Sequence, residues 1–305
     1  MVRYDAADIW NRIDLENSTW RERANQKTQA IIARGYYDKE IDKEGWGEIK
    51  EVFMRLQANK CAYCERKLAG GLYGKREHDV EHFRPKGRLS AWPSKVHKHL
   101  FSGIPPALKQ YPHPLGAAHE KGYHKLAFHP LNYCTACARC NQSLKLDFFP
   151  VRGERLLDQA DPQKLKTEKP FLIYPVGNLD TDPRALLTFE GVSPKPISKR
   201  GFARERAIVT IDFFDLGSED LAIERADILK LMYFPLCIIN EGAAHPQYAD
   251  AEEIVTLSTS ARAPHSSCAL AYQQTFERDP VLAKNYFDIA KAIVTKAQTN
   301  AAQGN

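Results

Sequence analysis

The chain predicts an α+β fold, mostly helical with a few short strands, whose middle is organised by a metal. Three observations carry this. Several stretches keep a helical apolar period, two C-x2-C pairs stand far apart, and only brief β-type runs occur, after Pro150. Residues 18 to 33 read as a helix, capped by Ser18 or Thr19, with Trp20, Ala24, Ile31 and Ile32 on its apolar side. From Trp46 to Leu56 the signal sharpens: Ile49, Val52, Phe53 and Leu56 follow the i, i+3, i+4, i+7 pattern of an amphipathic helix. That helix runs into "NKCAYCE", which sets it against the first cysteine pair. Residues 87 to 125 are rich in proline, glycine and histidine and read as a long loop or insertion.

Beyond Pro150, "FLIYP" and "ALLTF" read as short strands, with Glu190-Gly191 as a turn. A helix is expected over 202–212. Another is expected over 219–232, begun by Ser218 and stopped before Pro235. A last helix opens with Asp279 as cap and Pro280 in its first turn, and Leu282, Tyr286, Ile289, Ala290 and Ile293 keep helical spacing along it.

Composition narrows the function classes. The chain has 305 residues, 43% apolar and 27% charged, as a globular protein does. The start, "MVRYDAADIW", has no apolar signal core, and the run "LMYFPLCII" is too short to span a bilayer, so a cytoplasmic protein without membrane contact is expected. The net charge is +5 but unevenly spread: residues 60 to 150 hold 15 Lys or Arg against 6 Asp or Glu, leaving −4 for the rest. Eight of the ten histidines share that window. Such a patch suits a polyanion, although a charge run is more often a solvated face.

Five of the seven cysteines fall in two groups, "CAYC" (Cys61, Cys64) and "CTACARC" (Cys134, Cys137, Cys140). Two C-x2-C pairs supply the four thiolates of a structural zinc site. The 72 residues between them exceed the gap of a simple zinc ribbon, so the metal would tie together two distant segments. Cys134/Cys137 and Cys137/Cys140 are equally spaced, and spacing does not choose between them. Cys237 and Cys268 stand alone and read as small buried apolar residues.

The stretch "DVEHFRPKGR", 79 to 88, sets Asp79, Glu81 and His82 beside Arg84, Lys86 and Arg88. At a strand end, Val80 and His82 would take one face and Asp79 and Glu81 the other. A histidine can take a proton from water, and a carboxylate can hold a hard cation; phosphodiester cleavage uses both. A lone Glu-His pair is more often structural. "LNYCTACARCNQSLK" adds Asn132, Asn141 and Lys145; if a helix begins near Cys140, Asn141 and Lys145 share a face. An amide oxygen can ligate Mg²⁺ and a lysine can hold a phosphate.

In this order, "CAYC", "EHFRP", Asn132 and "CARCN" resemble the HNH endonuclease superfamily with its ββα-metal fold. "KCAYCERKL", "EHFRPK", "KLAFHPLNYCTACARCN" and "FFP" look like the stand-alone HNH nucleases of bacterial anti-phage systems of the Septu and retron type. Similarity is strong over about residues 46–150 and looser to about 235. The resemblance implies a metal-dependent endonuclease acting on DNA, with His82 as general base. Glu81 and Asn141 would ligate catalytic Mg²⁺ or Mn²⁺. Asn132 would bridge the hairpin and hold His82. Cys61, Cys64, Cys137 and Cys140 would bind structural Zn²⁺, leaving Cys134 spare. Arg84, Lys86 and Lys145 become candidate phosphate contacts, and a partner ATPase, such as the one encoded beside Septu-type nucleases, a candidate activator.

The resulting division is an N-terminal helical segment over 1–45, a nuclease core over 46–150 containing the 87–125 insertion, and a mainly helical region over 151–305. From His82 to Asn132 is longer than the family norm because of that insertion. Its His97, His99, His113 and His119 lack a tight ligand spacing and read as solvated. The rival function is a zinc-stabilised nucleic-acid-binding module without cleavage. Such a module needs the cysteines and the cations but not the Glu81, His82 and Asn141 set.

Overall fold

The computed structural model describes residues 1–42, 45–69, 78–92 and 116–303. Residues 93–115, the middle of the expected insertion, lie outside the described residues, and His97, His99 and His113 with them. The described residues form a mostly helical α+β protein with a few short strands. β1 (Tyr4–Asp5) leads into α1 (Ala6–Glu16) and α2 (Trp20–Arg34). α2 buries Trp20, Ala24 and Ile31 but leaves Ile32 exposed. Gly35 closes it at φ 84°, in the left-handed region that glycine adopts without strain. The expected 46–56 helix is tighter at its start: a 3₁₀ turn over Trp46–Ile49 opens into α3 (Lys50–Leu56).

β2 (His78–His82) and β3 (Tyr133–Cys137) pair antiparallel, with Glu81 opposite Cys134 and His82 opposite Tyr133. A seven-residue π-helical segment, Arg139–Lys145, follows β3 directly. β4 (Val176–Gly177) runs parallel to β1. β5 (Leu187–Glu190) and β6 (Ser193–Pro196) make a hairpin turning at Gly191, whose φ is 58°.

"FLIYP" is not a strand. Phe171 to Tyr174 are buried; Phe171 N–H donates to Pro150 O at 3.0 Å, and backbone groups of the next three residues bond to side chains. Thr210 Oγ1 accepts from Ile173 N–H at 3.2 Å, Arg206 donates to Leu172 O at 2.9 Å, and Asp180 accepts from Tyr174 N–H at 2.9 Å. A buried apolar run needs its backbone groups satisfied, and here two side chains of the helix Gly201–Phe213 and one from the loop at Asp180 do what a neighbouring strand would.

Five helices complete the chain: α4 (Gly201–Phe213), α5 (Glu219–Glu241), α6 (Tyr248–Thr259), α7 (Ser266–Arg278) and α8 (Pro280–Ala302). α5 runs through Pro235 instead of stopping before it. A proline inside a helix costs about 3 kcal/mol. Leu229, Met232 and Leu236 on the same helix are buried, and each buried side chain of this size is worth about 1.5–3 kcal/mol, which offsets that cost. α8 starts as expected, with Asp279 accepting from Leu282 N–H at 2.9 Å. Its buried stripe is Ala283, Phe287, Ala290 and Val294, rotated from the expected one, and Ile289 is exposed.

The buried apolar residues form two clusters, one running from Met1 to Leu221 and one from Ala226 to Val294. The N-terminal segment therefore shares its core with the segment carrying Glu81 and His82. No described helix is long and apolar enough to cross a membrane.

Candidate active site and metal centre

β3 is buried at all five positions, which demands partners for both of its edges. β2 supplies one edge. On the other, the Gln57 side chain, just past α3, accepts from Thr135 N–H and donates to Thr135 O, both at 2.8 Å. Ala62 N–H also donates to Thr135 O at 3.0 Å. The segment carrying Cys61 and Cys64 is thus laid against β3.

Cys61, Cys64, Cys137 and Cys140 bring four buried sulfurs within 4.8 Å of one another. Cys64 Sγ and Cys137 Sγ are 3.9 Å apart. A tetrahedron with Zn–S bonds of about 2.3 Å has edges of roughly 3.8 Å, so the spacing fits. Hydrogen bonds from Cys140, Cys61 and Cys64 pull the Cys137 thiol far down, while contact with Cys137 pushes Cys64 and Cys140 up. Four buried thiols competing for protons in this way are a donor set suited to a thiophilic dication. Cys134 stands apart, its sulfur 3.5 Å from the Tyr63 hydroxyl.

At the other end of the hairpin, Asn132 acts as a side-chain rung. Its Oδ1 accepts from Arg84 N–H at 2.8 Å and its Nδ2 donates to Arg84 O at 2.9 Å. Phe83 N–H donates to Asn132 O at 2.9 Å, so the pairing continues past β2. Removing this amide orphans two buried backbone groups, each worth about 1–3 kcal/mol. Asn132→Ala should therefore lower the melting temperature by several degrees, and an unchanged melt would show that the clasp contributes nothing.

His82 is buried, with Nε2 3.0 Å from Ala127 O. A carbonyl only accepts, so Nε2 carries the hydrogen and Nδ1 keeps its lone pair. The Tyr133 hydroxyl donates to the same carbonyl at 2.5 Å. The rings of Trp46 and Tyr133 meet His82 edge-on, each at 4.9 Å. Burial, and then the nearby Lys86, hold the imidazole well below its usual pKa, so it is neutral at neutral pH. Lys86 Nζ lies 3.4 Å from Nδ1 and 4.6 Å from the centre of the Trp46 ring.

Glu81 is buried, and burial raises its pKa against the pull of Lys145. Lys145 Nζ is 3.3 Å from Glu81 Oε1, an ion pair whose angles fall short of a hydrogen bond, so both atoms lack a hydrogen-bond partner. A buried carboxylate oxygen with unused capacity is what a hard cation requires. Asn141, half-buried in the π-helical segment, lines the same cleft of about 440 Å³ as Asp79, Val80, Glu81, His82, Lys86 and Arg88. Residues from both faces of β2 line this cleft, and so Glu81 and His82 share it despite pointing oppositely.

Two expected phosphate contacts are misplaced for that role. Arg84 is buried and donates to Glu168 at 3.0 Å and to Leu165 O at 3.2 Å. Lys145 is fully buried behind Glu81. The Asn132 rung draws Arg84 inward, and burial of Glu81 needs a compensating cation. Lys86 alone of the three lines the cleft, joined by the exposed Arg88, which pairs with Asp147 at 2.7 Å. Sequence reasoning also missed Trp46 and Tyr133 as neighbours of His82. Trp46 carried a signal in being the first residue of the amphipathic stretch, but its contact with His82 is a tertiary one.

No family model matches the chain, and no solved structure matches it. Among curated proteins it is similar to Septu protein PtuB of Bacillus mycoides (strain KBAB4), with 28% identity over 185 residues. The match covers 60% of this chain and 51% of that protein, so the chain spans about half the length of this relative.

Proposed function

We propose that the protein is a metal-dependent endonuclease of the HNH type, built on a ββα-metal core and hydrolysing phosphodiester bonds in DNA as an anti-phage effector. The observation that carries this reading is the orientation of His82: Nε2–H is spent on the Ala127 carbonyl, leaving the Nδ1 lone pair to accept from Lys86, beside a cleft that His82 and Lys86 line together with Glu81 and Asn141. The similarity to a Septu protein supports the defence role and a partner protein; the resemblance makes that partner an ATPase.

In this mechanism Lys86 turns from Nδ1 to a phosphate oxygen, and His82 Nδ1 takes the proton from the attacking water. The Ala127 carbonyl keeps the imidazole from turning, and the Asn132 rung fixes the backbone just past it. Glu81 and Asn141 would hold Mg²⁺ or Mn²⁺, which when bound supplies stabilisation of the charge on the phosphate and the departing 3′ oxygen. Lys86 and Arg88 flank the cleft to meet phosphate oxygens. Cys61, Cys64, Cys137 and Cys140 would hold Zn²⁺, which supplies rigidity and takes no part in the reaction.

Plasmid DNA incubated with the purified protein and Mg²⁺ or Mn²⁺ should be cut, and a chelator should stop the reaction. DNA that is bound but intact across both metals would favour the binding module over the nuclease. A further expectation follows from the +9 window between residues 60 and 150. Affinity for DNA should fall steeply as salt rises, because each phosphate neutralised releases counterions. A flat salt titration would mean that these cations only solvate the surface.

A further inference from the structure

We propose that a second cleft, of about 460 Å³ and sharing no lining residue with the His82 cleft, binds a ligand that pairs a phosphate with a planar base. Its wall carries five cations, Arg3, Arg84, Lys166, Lys169 and Arg206. The three arginines are committed: Arg3 to Asp182 at 3.0 Å, Arg84 to Glu168 at 3.0 Å and Arg206 to Asp180 at 2.5 Å. Lys166 and Lys169 have no carboxylate partner among the described residues, and Lys166 donates to the Asn178 carbonyl at 2.6 Å. Two uncompensated ammonium groups therefore stand at one concave surface, the electrostatic requirement for a phosphate.

The wall is held in shape before any ligand arrives. Gly153 N–H donates to Glu168 O at 2.8 Å, and Arg152 N–H donates to Lys169 O at 3.0 Å, which pins the segment bearing both lysines. Lys169 keeps φ at 51°, in the left-handed region that a non-glycine residue rarely adopts. Arg206 is 6% exposed, and its Nε–H has no hydrogen-bond partner. The half-buried ring of Phe202 lies on the same wall with the guanidinium groups of Arg152 and Arg206 over it, at 5.4 and 6.0 Å from its centre, and Asn178 and Thr181 add polar groups. Two ammonium groups on a wall that also carries an aromatic ring and planar guanidinium groups suit a phosphate carried with a base, whether as a free nucleotide or as one unit of a single strand.

The site is independent of the cleavage reading, and binding tests it without turnover. The full-length protein, free of added divalent metal, is titrated calorimetrically with inorganic pyrophosphate, ADP and a short single-stranded oligodeoxynucleotide. The comparison is with the double variant Lys166→Glu/Lys169→Glu, whose two positions are exposed. We expect binding of ADP or of the oligonucleotide to weaken about tenfold or more in the variant. Binding of ADP identifies a free nucleotide as the source, and binding of the oligonucleotide alone identifies a nucleic-acid strand. Binding of pyrophosphate alone would overturn the base as part of the ligand. No binding of any probe, or binding that the folded double variant retains in full, would overturn the site.

Discussion

His82→Ala is expected to remove cleavage while leaving fold, zinc content and DNA affinity near wild type. The substitution deletes the Nδ1 lone pair beside Lys86, and loss of a general base typically costs about 10² to 10⁴ in rate. It does not orphan the Ala127 carbonyl, because the Tyr133 hydroxyl still donates to it at 2.5 Å. Asn132 keeps both bonds to Arg84, so the end of the hairpin stays clasped. Three readouts on one preparation decide it: plasmid cleavage, zinc per chain and a thermal melt. Wild-type turnover in a folded His82→Ala protein would sink the assignment.

The second large effect separates two cysteines that look alike in the sequence. Cys140→Ser should lose zinc and much of the protein's stability, since structural zinc contributes on the order of 10 kcal/mol in small domains. Cys140 opens onto the π-helical segment that presents Asn141, so activity should fall with it. Cys134→Ser should keep one zinc per chain and remain active, with the Tyr63 hydroxyl positioned to meet the new one. Metal analysis of both purified variants is the test. Zinc retained in Cys140→Ser and lost from Cys134→Ser would overturn the ligand set.

That pair also shows where the sequence could be read and where it could not. Equal spacing left Cys134/Cys137 and Cys137/Cys140 tied, yet both Cys134 and Cys137 lie on β3. Residues three apart on a strand point to opposite faces, so a C-x2-C pair within one strand cannot close on a single metal. Spacing becomes decisive only once the strand's bounds are known. The α3 face and the start of α8 were legible because both are local signals, a period and a cap. The fates of Arg84 and Lys145 were not, because a cation's burial depends on carboxylates brought to it by the fold: Glu168 for one, and Glu81 for the other, a distant neighbour in sequence. α6 and α7 went unread, having short helical stretches with mixed polar composition, and α5's passage through Pro235 depends on packing partners outside the helix.

The β2–β3 pairing has a consequence for how the chain finds its fold. Its two strands are separated by residues 83 to 132, so the hairpin is a long-range contact. Closing a connection of this length costs about 3 kcal/mol more chain entropy than closing a two-residue turn. Local strand propensity does not cover that difference; the four-cysteine cluster ties the end of β3 to the Cys61–Cys64 segment, and the Asn132 rung grips the two strands at the other end. Formation of the hairpin should therefore be a late, slow event in folding, accelerated by zinc. The same logarithm makes the connection tolerant, since doubling its length would add only about 0.6 kcal/mol. Glu81 and His82 can thus keep their pairing with β3 while the chain between the two strands changes length.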